Sequence, residues 1–223
     1  MDLSRIKVCI FDVNGVLVDS NRANARAMAQ AFTDDPVLRE SIAAHYLTLT
    51  GVDRGSKIRI IQEQVICLPF KENEFDLRWE RFKNLARESM LKAPLIEGCR
   101  SVLAQIGKEG ITRVALSNTP LVELQEILAA HNIDSLLDVI RGGGDWPKSE
   151  SLVRLRDELL FEPEESIFCG DGKKDLMAAR SAGLSFVAID PGTGEFDDET
   201  GFHGPYRHLA EWGEKVWGLK GWS

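Results

Sequence analysis

The sequence predicts an α/β fold, a parallel sheet whose crossover connections are helices, interrupted after its first strand by an all-helical insertion. Two patterns carry this reading. Short β-branched and aromatic runs alternate with stretches whose apolar residues recur at spacings of three and four, and between residues 21 and 92 the short runs vanish while the helical spacing persists. The first run, residues 7–11, ends at Asp12 and the turn-forming pair Asn14-Gly15, the pattern of a buried strand that delivers an acid at its C-terminal end. The insertion then offers helices at 21–32, 37–49, 57–65 and 72–91, and Ala93-Pro-Leu-Ile-Glu-Gly98 has the punctuation of a return linker. Beyond it, strands at 112–117, 137–140, 166–169 and 185–189 alternate with helices at 100–108, 121–131, 150–160 and 174–182. Residues 191–204, rich in Gly, Asp, Glu and Thr, predict an irregular loop. A last helix at 206–217 should pack Trp212 and Trp217 on the core. The α/β core is thus expected at 1–18 and 94–223, with the helical insertion at 19–93.

Composition narrows the function classes. In 223 residues, Lys plus Arg number 27 against 35 Asp plus Glu, a net charge of −8. Nucleic acids and anionic membrane surfaces both require a cationic footprint, so neither is expected as the main partner. Cys9, Cys67, Cys99 and Cys169 lie far apart, with no paired spacing and no histidine at ligand distance in sequence. That pattern indicates neither a zinc site nor a disulfide framework and fits free thiols in a reducing, cytoplasmic setting. The apolar stretch near the N-terminus is far shorter than the roughly 18 residues a membrane span needs.

Four predicted strand ends carry polar residues: Asp12 after the first, Ser117-Asn118 after the second, Lys148 in the loop following Gly142-Gly-Gly144, and Gly170-Asp171 with Asp175 after another. Taken singly, a strand-end carboxylate is a cap or turn residue more often than a ligand, and a lone lysine is usually solvated. Together, at the edge of a parallel sheet where ligands bind, they describe a site. Asp12, Asp171 and Asp175 would bring three negative charges to one edge, which is unfavourable without a cation. Hard oxygen donors of this kind suit Mg²⁺, which binds through a few carboxylates, waters and substrate phosphate. With Lys148 as a fixed positive charge and Ser117 and Asn118 as neutral donors, the edge is suited to a phosphoryl group. A carboxylate can itself attack phosphorus there.

Phe11-Asp-Val-Asn-Gly-Val-Leu-Val-Asp-Ser20 resembles the first motif of the haloacid dehalogenase superfamily, and Leu116-Ser-Asn-Thr119, Lys148 and Gly170-Asp-Gly-Lys-Lys-Asp175 resemble its second, third and fourth. The likeness spans nearly the whole chain. It implies a Rossmann-like core with a helical cap, as in the β-phosphoglucomutase and phosphoglycolate phosphatase branch, and a Mg²⁺-dependent hydrolase acting on a small phosphorylated metabolite. By the same resemblance Asp12 is the nucleophile and a metal ligand, the Asn14 carbonyl a second ligand and Asp171 a third. Asp175 acts through water or holds the lysine, Ser117 and Asn118 bind phosphate, and Lys148 stabilises both nucleophile and phosphate. Thr50-Gly-Val-Asp-Arg54 resembles a substrate loop of the cap, which implies that Arg54, with Lys57, holds a distal anionic group; a solvated Arg at a helix start is the competing reading.

The chain departs from the family at Asn14, where phosphatases of this kind normally place an Asp that protonates the leaving oxygen and then activates water. An amide cannot exchange a proton usefully, and general acid–base catalysis is worth about 10²–10⁴ in rate. Three readings stay open: a phosphatase working despite Asn14, a phosphoryl-transfer protein with a persistent aspartyl-phosphate, and a non-catalytic phosphate-binding protein.

Overall fold

The computed structural model describes residues 3–49, 52, 54–144 and 146–220. The chain divides into two compact units, residues 1–18 with 95–223, and residues 19–94. In the first unit six parallel strands form one sheet in the order β3-β2-β1-β4-β5-β6. They are β1 (Val8–Phe11), β2 (Thr112–Pro120), β3 (Val139–Gly143), β4 (Ser166–Gly170), β5 (Ser185–Ile189) and β6 (His203–Tyr206). The strand order reverses at β1, which pairs with β2 on one side and β4 on the other, and such a switch point opens a crevice at the carboxyl ends of the strands.

Alternation along β1 sorts its side chains to two faces. Val8 and Ile10 join a core with Val114, Phe168, Leu176 and Phe186, lined by α7 (Lys148–Leu159) and α8 (Lys173–Ala182). Phe11 meets the buried Trp212 of α9 (Leu209–Trp217) edge to face at 6.3 Å, and Trp217 packs in turn on Trp212. α5 (Cys99–Lys108) and α6 (Leu121–Ala130) complete the crossovers.

Three elements stand out against the sequence expectation: β6, α9 and β3. The stretch read as a loop ends in a sixth strand, and the last helix begins at Leu209 rather than 206. His203-Gly-Pro-Tyr206 carries no strand signal, yet it pairs with β5, and the Tyr206 carbonyl accepts from Asp190 N at 2.7 Å. Pro205 is tolerated because an edge strand leaves one side of its backbone unpaired. The other difference is β3, which runs to Gly143 instead of stopping at Ile140. A Cβ at Gly142 would lie 2.4 Å from Leu121 Cα, and one at Gly143 would lie 2.2 Å from the Asn118 carbonyl oxygen. Gly142 and Gly143 are what lets β3 close on the irregular end of β2.

The second unit is all helical: α1 (Ser20–Phe32), α2 (Pro36–Thr48), α3 (Arg54–Gln64) and α4 (Glu72–Lys92). Its core gathers Met28, Ile42, Tyr46, Ile58, Ile61 and Phe82. The Asp35 carboxylate caps α2 by accepting from Val37 N and Leu38 N at 2.8 and 3.0 Å, with Pro36 at the first helical position. The linkers run side by side: Asp19 N donates to Pro94 O, and Val18 bridges Leu95. No described helix is long and apolar enough to cross a membrane.

Candidate active site

Asp12 follows β1 directly, and its backbone N–H donates to Cys169 O at 2.9 Å, extending the β1–β4 ladder by one residue past the Phe11–Cys169 pair. That register sets Asp12 beside the end of β4, where Gly170 leads into Asp171 and α8. A Cβ on Gly170 would lie 2.5 Å from Asp175 Cβ, so the glycine makes the space in which Asp175 turns toward Asp12. Lys148, the first residue of α7, reaches between the two acids: its Nζ lies 3.1 Å from Asp12 Oδ1 and 2.6 Å from Asp175 Oδ1, over the Phe168 ring at 5.7 Å.

All three groups are largely withdrawn from water. Burial pushes the Asp12 carboxyl up from its ordinary 3.8, Lys148 draws it down, Asp175 raises it again, and the balance leaves it at about 6. Burial works against the Lys148 charge, but the two carboxylates prevail and hold its ammonium well above the ordinary lysine range. One carboxylate oxygen each from Asp12, Asp171 and Asp175 falls within 4.8 Å of the others. Three oxygen donors so close, two of them bridged by Lys148, fit a hard divalent cation such as Mg²⁺.

The β2 side of Asp12 is neutral. Asn14 Nδ2 donates to Ser117 Oγ and to Thr119 Oγ1, each at 3.2 Å, and Ser117 Oγ in turn accepts from Thr119 N at 3.2 Å. Ser117 and Thr119 are buried, whereas Asn118 between them is exposed and offers its carbonyl to the close approach of Gly143.

The structure therefore gathers Asp12, Asn14, Ser117, Lys148, Asp171 and Asp175 at the carboxyl ends of β1, β2 and β4. Arg54 and Lys57 belong to α3 of the helical unit, where the Arg54 guanidinium lies 5.8 Å from the Phe82 ring centre and Lys57 Nζ lies 3.8 Å over Tyr46. Of the segment 50–54, residues 50, 51 and 53 lie outside the described residues, so the expected substrate loop is not described.

Sequence reasoning missed three residues. Thr119 completes the hydroxyl pair that holds Asn14. Asp190, after β5, is buried and accepts from the backbone N–H groups of Gly192, Thr193, Gly194 and Glu195 and from the Thr193 hydroxyl. Burial alone would raise its carboxyl, but these donors hold it below the ordinary range. The turn so pinned presents Glu195, which accepts from Lys173 N at 3.0 Å and caps α8, the helix carrying Asp175. Asp190 was detectable, since it ends an apolar strand as Asp12 does and precedes Pro-Gly-Thr-Gly. Glu195 had no local signal.

The chain is similar to known proteins along most of its length. The chain is 26% identical over 199 residues to a phosphoglycolate phosphatase of Haemophilus influenzae, covering 85% of this chain and 88% of that protein. It is 24% identical over 230 residues to a phosphoglycolate phosphatase of Colwellia psychrerythraea, covering 99% and 100%. A structure described as a predicted phosphoglycolate phosphatase from Haemophilus somnus superposes with a TM-score of 0.74 at 19% identity, over 91% of this chain and 95% of that one. A haloacid dehalogenase-like family protein from Streptococcus pneumoniae superposes with a TM-score of 0.68 at 20% identity, over 87% and 90%. At those identities the two structures establish a shared fold. Residues 9–189 match the family model of haloacid dehalogenase-like hydrolases, and with most of its length inside that match the chain belongs to this family of enzymes.

Proposed function

We propose that the protein is a Mg²⁺-dependent phosphatase that acts on a small phosphorylated metabolite through an aspartyl-phosphate on Asp12. The observation that carries this reading is the bridging of Asp12 and Asp175 by Lys148 beside a third carboxylate, Asp171, at the switch point of the sheet. Asp12 stands where the strand ends and its carboxylate, stripped of water, attacks phosphorus. Lys148 neutralises charge on the nucleophile and on the phosphoryl oxygens. Ser117 and Asn118 hold those oxygens by neutral hydrogen bonds. Asp12, the Asn14 carbonyl, Asp171 and Asp175 would hold Mg²⁺, which when bound offsets the negative charge of the phosphoryl group.

The relatives' names support a phosphorylated small molecule as substrate. Arg54 and Lys57 are assigned to a distal anionic group of that substrate, a role to which the fork of the guanidinium is suited. The Asn14 amide favours a second reading, phosphoryl transfer from a persistent aspartyl-phosphate, because water in the second half of the reaction lacks its usual base.

Phosphate release from a panel of small phosphorylated compounds in Mg²⁺, with intact mass recorded in parallel, tests both. Turnover in the natural chain that falls by about 10⁴-fold or more in Asp12→Asn establishes the phosphatase. A phosphate adduct on the natural chain without release identifies the transfer reading, and neither signal would remove both.

A further inference from the structure

Asn14 stands two residues after Asp12, with its amide nitrogen donating to Ser117 Oγ and Thr119 Oγ1. An amide side chain exchanges no proton at any working pH. Among the described residues of the α/β unit, the side chains placed with it at these strand ends include two hydroxyls, the Asn118 amide, three carboxylates and Lys148. The hydroxyls are weak acids. The carboxylates crowd within 4.8 Å as a cation's ligand set, and Lys148 spends its charge on two of them at 3.1 and 2.6 Å. No group in this constellation is free to hand a proton to a departing oxygen.

We infer that the site selects phosphoryl compounds whose leaving group departs as a stable anion, namely acyl phosphates and aryl or enol phosphate esters, in preference to alkyl monoesters. This rests on the phosphatase reading above and narrows its substrate class. In the first half of the reaction an Asp12 carboxylate oxygen bonds to phosphorus, and the bond from phosphorus to the leaving oxygen breaks with its electron pair. The leaving group goes as carboxylate, phenolate or enolate without taking a proton. In the second half a water oxygen bonds to phosphorus and the electron pair of the Asp12–phosphorus bond returns to the carboxylate. The surplus proton leaves with phosphate or bulk water. A carboxylate has a conjugate acid near pKa 4 and an alkoxide one near that of water, about 15.7, so only the alkoxide needs a donor. With water equally unassisted, the phospho-Asp12 state should accumulate.

The test is kcat/KM in Mg²⁺ for acetyl phosphate, p-nitrophenyl phosphate, phenyl phosphate and glycerol 3-phosphate, measured on the natural chain, Asn14→Asp and Asp12→Asn. Intact mass is recorded after mixing each with acetyl phosphate. The natural chain should lose about 10²-fold or more from the first substrate to the last, the range a general acid is worth. Asn14→Asp should flatten the series by raising the glycerol 3-phosphate rate, and an adduct should appear on the natural chain and not on Asp12→Asn. If Asn14→Asp does not fold, a steep series with an adduct in the natural chain still sustains the inference. A natural chain that cleaves glycerol 3-phosphate within tenfold of acetyl phosphate, dependent on Asp12, overturns this inference and leaves the phosphatase standing. Absence of Asp12-dependent release and of any adduct overturns the phosphatase reading, and the inference with it.

Discussion

The two flanks of Asp12 are built from opposite chemistry. Toward β4, Lys148 and the acids Asp171 and Asp175 carry formal charge, and Lys148 and Asp175 sit with Asp12 in a setting so dry that each of their charges depends on its neighbour. Toward β2, Asn14, Ser117 and Thr119 carry none, and they hydrogen-bond to one another. The strand-to-helix turn after β1 feeds both, placing Asp12 on the charged flank and, two residues on, the amide on the neutral one. A charged flank stores free energy that a cation or phosphoryl group can release, because removing any one partner leaves buried charge unmatched. A neutral flank can position oxygens but cannot exchange protons. The residue two past Asp12 is therefore where the charged flank gives way to the neutral one.

That contrast predicts unequal costs. Lys148→Ala should be the most damaging to the fold, leaving the buried Asp12 and Asp175 carboxylates unbridged for a loss of about 3 kcal/mol or more in denaturant unfolding without metal. Added Mg²⁺ should recover part of it, and a loss that Mg²⁺ leaves untouched would mean that the lysine serves packing rather than charge.

Next in size is the proton on Asp12. Its folded pKa is about 6 against an ordinary 3.8, so between those values the native state binds more protons than the unfolded one. The metal-free fold accordingly loses this contribution as pH rises through that window, the reverse of the usual carboxylate. Carboxyl-detected NMR on the metal-free protein should show Asp12 titrating near 6 and moving down when Mg²⁺ is added. A midpoint at the ordinary value would show that Lys148 outweighs burial.

A smaller effect is expected from Gly170→Ala, whose Cβ would press on Asp175. It should destabilise by about 2 kcal/mol and weaken Mg²⁺ binding measured by calorimetry, while the Asn14 amide resonances stay in place. The smallest is Thr119→Val, which removes one of the two hydroxyls that accept from Asn14 at about 1 kcal/mol and should leave the Mg²⁺ affinity unchanged. A change in metal affinity there would show that the flanks are coupled.

Much of the architecture was legible because its signals are local. Val8–Phe11, Ser166–Gly170 and Ser185–Ile189 are short apolar runs that end in an acid or glycine, and a strand buried on both faces reads that way wherever it lies. The same rule exposes Asp12, Asp171 and, had it been applied once more, Asp190. The charged flank was readable as a set, since three acids meeting at one edge demand a counter-charge whatever the details. The neutral flank was only half readable: Ser117 and Asn118 were expected there, whereas Thr119, which accepts from Asn14 alongside Ser117, was not.

By itself, then, the sequence determined the alternation of strands and helices, the helical insertion, the acids at the strand ends and the amide at Asn14, all of which depend on residue identity and short-range periodicity. Only the tertiary structure decided that His203–Tyr206 would be a strand, since an edge strand takes its hydrogen bonds from β5 rather than from its own composition. It decided too that Gly142 and Gly143 would extend β3, because their value lies in how near Leu121 and Asn118 come. And it assigned Glu195 to the start of α8, a contact made across 22 residues by a turn that Asp190 holds shut. These are close approaches between segments distant in the chain, and nothing in a local pattern encodes which segment will arrive.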